Sequence, residues 1–171
     1  TVGDLMCITV GTGIGGAIVI DGQVWPGGSG VAGEIGHVHA GGDERCDCGA
    51  RGCAHLVASG RAVEGRLGAT PGSLGALLAG GDPVARREAL VAADRLGAVL
   101  ASAMHLLDLP LVAIGGGLGS WPEFVPAVAA SFERSAMPQV SATCRVEPLA
   151  AGPVAGAIGA ALAAREGVTS V

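Results

Sequence analysis

The sequence predicts an α/β domain. Three observations carry that reading: apolar, β-branched runs that end in glycine turns, a strand–glycine–helix unit in the second half, and a long helix with a clear start between them. Half of the 171 residues are hydrophobic, enough for a real core in one domain or two small lobes.

The elements follow in order. Asp4–Val10 (DLMCITV) reads as a strand, Gly11–Gly16 (GTGIGG) as a glycine-rich bend and Ala17–Ile20 (AIVI) as the returning strand of a hairpin. Asp21-Gly22 is the next turn signal, and Pro26–Gly33 (PGGSGVAG) is an irregular loop leading to Glu34, where ligand comes close. After Cys53 the pattern turns helical through Leu56, Val57, Val63 and Leu67, weakened by Gly60 and Gly65.

Asp82 as N-cap and Pro83 at the first helical position open a long helix to Pro110, with Val84, Leu90, Val91, Leu96, Val99, Leu100, Met104 and Leu107 as its apolar positions. Leu111–Ile114 (LVAI) has the composition of a fully buried strand and ends in Gly115, Gly116 and Gly117. Ser120-Trp-Pro-Glu123 matches a capping box and starts a helix to about Met137. Thr143–Glu147 (TCRVE) is a short strand, and Gly152–Arg165 a closing helix of small residues.

Composition excludes several functions. The net charge is −5, every basic residue is Arg, and there is no basic run, so direct nucleic-acid contact is not expected. No apolar run is long enough to span a bilayer and no signal-like segment opens the chain; the expectation is a cytoplasmic protein without membrane contact. The 31 glycines, beside almost no aromatics, imply a backbone that turns tightly or approaches a partner such as a phosphate.

Of five cysteines and four histidines, three of each fall between Gly33 and His55, in GEIGHVHAGGDERCDCGARGCAH. The spacing of Cys46, Cys48 and Cys53 is too short for a disulfide framework but suits convergence on one ion. Three thiolates and one imidazole make a closed tetrahedral zinc site, with His37 or His39 as the fourth ligand. Glu34, three residues before His37, could join it in hydrogen-bonding the vicinal hydroxyls of a polyol; read alone, it is a solvated loop acid. Gly11–Gly16 offers backbone N–H groups that cradle phosphate, although hairpins use such glycines structurally too. Gly115–Gly117 is ambiguous between tight helix–strand packing and approach to adenine or ribose. His105 reads as a satisfied core or flank histidine, and Cys7 and Cys144 as small buried hydrophobes.

Together these residues resemble the ROK family (repressor, open reading frame, kinase), which includes bacterial glucokinases, other hexose and amino-sugar kinases, and sugar-responsive transcription regulators. VGTGIGGAIVIDG resembles its second phosphate motif, GVAGEIGH its sugar loop, CDCGARGCAHLVASG its cysteine signature, and VAIGGGL and AGAIGAAL the adenosine side of its cleft. The resemblance implies an actin-like ATPase (RNase H-like) fold, with residues 1–171 forming a C-terminal lobe with a zinc-binding loop. It implies structural zinc on His37, Cys46, Cys48 and Cys53, with the second ring nitrogen of His37 and the carboxylate of Glu34 binding sugar hydroxyls. Gly11, Thr12, Gly13 and Gly15 would hold the phosphates of ATP, with Mg if the protein is a kinase, and Gly115, Gly116 and Gly117 would face adenosine.

Two departures stand out. The family usually carries Glu two residues after the last cysteine, whereas this chain reads Cys53-Ala54-His55, leaving His55 as the candidate sugar contact. The family's D-x-G-x-T phosphate loop and Asn-Asp pair have no counterpart here, so no catalytic residue is assigned and the base is expected in a missing N-terminal lobe. The implied function is the sugar- and ATP-binding half of a hexose or amino-sugar kinase, inactive alone; the alternative is the effector lobe of a ROK-type regulator. A homo-oligomer is implied in either case, with the long helix either at a subunit contact or packed inside.

Overall fold

The computed structural model describes residues 3–152 and 155–165. Strand β1 (Leu5–Val10) pairs antiparallel with β2 (Ile14–Ile20), and β2 pairs antiparallel with β3 (Gln23–Trp25). On its other edge β1 pairs parallel with β4 (Leu111–Gly115), and β4 pairs parallel with β5 (Arg145–Pro148). The result is one mixed sheet of order β3-β2-β1-β4-β5. Period-two alternation buries Met6, Ile8 and Val10 on one face of β1 and leaves Thr9 exposed. β4, flanked by parallel neighbours, is buried along its whole length, as its continuous apolar run requires.

The hairpin differs from expectation at its bend. Gly15 and Gly16 are strand residues, opposite Thr9 and Ile8, and the bend is only Gly11–Gly13, closed by the Gly11 N–H donating to the Gly13 carbonyl at 2.9 Å. Asp21 and Gly22, with φ of 53° and 71°, make the two-residue turn into β3, an edge strand that composition did not reveal.

Eight α-helices alternate with the strands among the described residues. α1 (His55–Ala58) and α2 (Gly60–Leu67) split at Ser59, whose hydroxyl accepts from Ala62 N–H and caps α2. α3 (Leu74–Ala79) precedes α4 (Pro83–Leu107), where Asp82 Oδ1 accepts from the Val84 and Ala85 amides at 2.9 and 2.8 Å. The buried stripe of α4 is smaller in side chain than expected. Ala85, Ala89, Ala92, Ala93 and Gly97 face inward, whereas Val84 and Val91 are exposed. Small residues let α6 (Phe124–Ser135) approach: a Cβ at Gly97 would lie 2.5 Å from Ser131 Cβ and 2.6 Å from the Val128 carbonyl. Ser131 Oγ then donates to the Asp94 carbonyl at 2.7 Å. By length and composition α4 could cross a bilayer, contrary to the sequence reading, but its small-residue stripe is buried in this domain.

The capping box is also corrected. Ser120 ends α5 (Gly116–Gly119), its hydroxyl donating back to the Gly116 carbonyl, and Glu123 occupies the N-cap of α6 without a side-chain cap bond. The Glu123 carboxylate instead receives the Arg86 guanidinium from α4. α7 (Pro138–Thr143) takes up Thr143, so β5 starts two residues later than expected, after buried Cys144. Cys7 is only half-buried. His105 is a flank histidine, its Nε2 accepting from the Met137 N–H at 3.0 Å. The closing helix is α8 (Ala155–Arg165); the start expected for it includes residues 153 and 154, outside the described residues.

Candidate metal centre and ligand cleft

Glu34–His37 is a single 3-10 turn (Ile35–His37) laid on β2. Its position depends on backbone-to-backbone contact: Gly36 packs on the Ile14 carbonyl, and Gly33, with φ +93°, has no room for a Cβ, which would lie 2.8 Å from the Gly16 carbonyl. Ile35, buried at 3%, anchors the turn in the core, while Glu34 and His37 stay exposed.

The cysteine loop returns beside this turn through an isolated bridge of His39 to Cys53 and another of Arg45 to Arg51. One ligand atom each from His37, Cys46, Cys48 and Cys53 lies within 4.8 Å of all the others. The Cys48 and Cys53 sulfurs are 3.6 Å apart and the Cys46 sulfur is 3.5 Å from His37 Nδ1. Tetrahedral zinc with ordinary Zn–S and Zn–N bonds needs donor separations of about 3.6–3.8 Å, so the donor set fits such an ion. The backbone N–H of Ala50 and the Cys46 side chain bring the Cys48 thiol down to about 7, whereas burial and the neighbouring sulfurs push Cys53 up to about 12.

Between the two histidines left open by the sequence, His37 joins this cluster. His39 Nδ1 is instead 3.1 Å from the Arg51 carbonyl, a backbone partner that ties the loop together. His37 Nε2 points the other way, 3.8 Å from Glu34 Oε2. His55, at the start of α1, stands with its ring centroid 5.4 Å from that of His37 and its Nε2 3.5 Å from the Cys46 sulfur. Glu34, His37 and His55 therefore gather at one edge of the cluster.

The predicted phosphate and adenosine residues come together only in part. Gly11 and Thr12 share a cavity of about 250 Å³ with Gly60, Glu64, Gly75 and Gly117. The bend is held there by α2, whose Gly60 N–H donates to the Gly11 carbonyl at 2.7 Å, an approach that leaves no space for a side chain at Gly60. Gly13 is exposed with open space around it, and Gly15 is paired in the sheet. Gly115 lines a different cavity beside Trp121 and Leu149, and Gly116, with φ +87°, packs against the Val10 backbone. Sequence reasoning missed Glu64, buried at 7% in the first cavity; a lone acid on a helix carries no signal of burial.

The chain as a whole is similar to known proteins. A family model for ROK matches residues 1–166, and the chain belongs to the ROK family. It is 35% identical over 131 residues to an N-acetylmannosamine kinase of Escherichia coli O6:H1, covering 73% of this chain and 45% of that one. Among solved structures it is similar to a ROK family glucokinase from Streptomyces griseus in complex with glucose and AMPPNP, with TM-score 0.81, 31% identity, and 96% and 61% of the two chains covered. It is also similar to a ROK family transcriptional regulator, a homologue of the E. coli MLC protein, with TM-score 0.75, 25% identity, and 86% and 42% covered. The fold is thus that of ROK kinases, with their actin-like sheet. The chain spans about half the length of the curated relatives it matches.

Proposed function

We propose that the chain is the sugar- and ATP-binding C-terminal lobe of an ATP-dependent hexose or amino-sugar kinase. The observation that carries this is the two-sided placement of His37, with Nδ1 on the sulfur cluster and Nε2 toward Glu34. In this reading His37, Cys46, Cys48 and Cys53 hold a structural zinc, which supplies a fixed charge that sets the tautomer and orientation of the imidazole. The His37 Nε2 hydrogen and the Glu34 carboxylate then bind neighbouring sugar hydroxyls, and His55 donates to or accepts from another. The backbone amides around Gly11 and Thr12 hold the ATP phosphates, Mg neutralises them, and the wall at Gly117 faces the nucleoside.

The reaction would pass the γ-phosphoryl group of ATP to a sugar hydroxyl, with that hydroxyl's proton taken by a base on an N-terminal lobe that closes the cleft. One lobe alone orients only half of the reactants and would be inactive. A cytoplasmic homo-oligomer fits this reading, with exposed Val84, Val91 and Leu106 on α4 offering apolar surface for self-contact.

The second reading, an effector lobe of a sugar-responsive regulator, is favoured by one residue. His55 stands where kinases of the family usually carry Glu, and a regulator needs only to bind sugar. The deciding experiment is a coupled ADP-release assay on the protein as its gene encodes it, across hexoses and amino sugars. Sugar-dependent ADP release supports the kinase; saturable sugar binding without turnover supports the regulator; neither would remove both readings.

A further inference from the structure

The cavity beside the Gly11–Gly13 bend has one charged wall group, Glu64 on α2. The residue is only 7% exposed, and its carboxylate has one partner: Oε1 accepts from the Leu74 N–H, at the start of α3, at 3.0 Å. Among the described residues no hydrogen bond or ion pair reaches its other oxygen, and since no fully buried side-chain oxygen lacks a partner there, that oxygen stays accessible. A carboxylate accepts up to about four hydrogen bonds, so this largely buried one keeps acceptor capacity for donors other than Leu74. The cavity is the direction from which such donors can come, because Glu64 lines it.

The chemistry of the donor follows from position. Phosphates are excluded as direct partners by charge repulsion, and the bend, where the Thr12 and Gly13 amides have no partner among the described residues, is the place for them. Gly60 is hydrogen-bonded to that bend, and Glu64 lies one helical turn further, about 6 Å along α2. The group that follows the phosphates along a nucleotide is its ribose, whose vicinal hydroxyls are neutral donors. We propose that Glu64 accepts hydrogen bonds from the ribose hydroxyls and thereby selects a ribonucleotide over its deoxy forms. This rests on the nucleotide reading of the cleft and adds to it the residue that distinguishes the sugar of the cofactor.

The test is titration calorimetry on the protein as its gene encodes it, with Mg-ATP, Mg-2′-deoxy-ATP and Mg-3′-deoxy-ATP, for the parent and Glu64→Gln. Glutamine keeps an oxygen for the Leu74 N–H, so the start of α3 stays capped. The parent is expected to bind ATP on the order of tenfold more tightly than either deoxy form, the worth of a hydrogen bond to a charged group. In Glu64→Gln the preference should collapse, with ATP binding weakened and deoxy binding little changed. Equal affinity of the parent for all three nucleotides, which needs no variant, would overturn the assignment of Glu64 while leaving the nucleotide cleft standing. So would full retention of the preference in Glu64→Gln. Binding of none of the three would overturn the cleft and Glu64 together.

Discussion

Replacing Gly16 with alanine should lift the Glu34–His37 turn off the sheet. An added Cβ would lie 2.6 Å from the Gly33 carbonyl oxygen and 3.1 Å from Ile35 Cγ2, against the 3.4 Å at which ordinary contact begins. The principal obstacle is backbone, so relief requires the turn to retreat by about 0.8 Å rather than a side chain to swing away. Gly33 cannot yield by rotating, because its own φ of +93° is one that few residues other than glycine adopt. Overpacking of this kind costs about 1–3 kcal/mol. Misplacing positioning groups by this much lowers turnover by up to about a hundredfold. Urea unfolding measures the first effect and, on the proposed kinase reading, sugar turnover of the full protein measures the second. Gly65→Ala is the control: the same added methyl meets nothing within 4 Å in the middle of α2, and should stabilise by about 0.4–1 kcal/mol. Wild-type stability and wild-type sugar turnover in Gly16→Ala would refute the idea that this glycine contact positions Glu34 and His37.

Further outcomes are expected. Asp82→Ala removes both cap bonds at the start of α4 and should lower stability by about 1 kcal/mol in denaturant unfolding, up to about 2. Glu88 is held below the usual carboxylate range, chiefly by the Arg66 hydrogen bond and then by Arg87. A depressed carboxylate adds stability above its unfolded value of about 4.3 and loses it as pH falls through the lower folded value. Glu88→Gln should therefore be less stable than the parent at neutral pH, with the gap closing in acid; a gap independent of pH would contradict this. His55→Glu restores the residue usual in family kinases and should change hexose affinity, and unchanged affinity would mean position 55 does not face the sugar.

The readable parts of the sequence were those where one residue type has one physical use. Asp82-Pro83 marked the start of α4, the unbroken Leu111–Ile114 run marked the central parallel strand, and three crowded cysteines marked the cluster. Glycine and alanine were harder, because their role is set by what lies opposite. Gly15 and Gly16 looked like bend residues but are strand residues under the Glu34 turn, and the buried face of α4 is largely alanine, with Gly97 against α6, while Val84 and Val91 are exposed. Ser120 fits a capping box by spacing, but its hydroxyl is already used by the Gly116 carbonyl. β3 is three exposed residues whose only signal was the turn before it. The choice between His37 and His39 needed the fold, since it is the Arg51 carbonyl that engages His39. Glu64 became visible only when α2 was seen against the bend and α3.

The most direct test of the metal clamp is elemental analysis of protein purified without added metal, beside Cys48→Ser and His39→Ala. About one zinc per chain is predicted, lost in Cys48→Ser and retained in His39→Ala, because His37 and the three sulfurs form the donor set. Absence of metal from the parent, or zinc kept in Cys48→Ser and lost in His39→Ala, would contradict it.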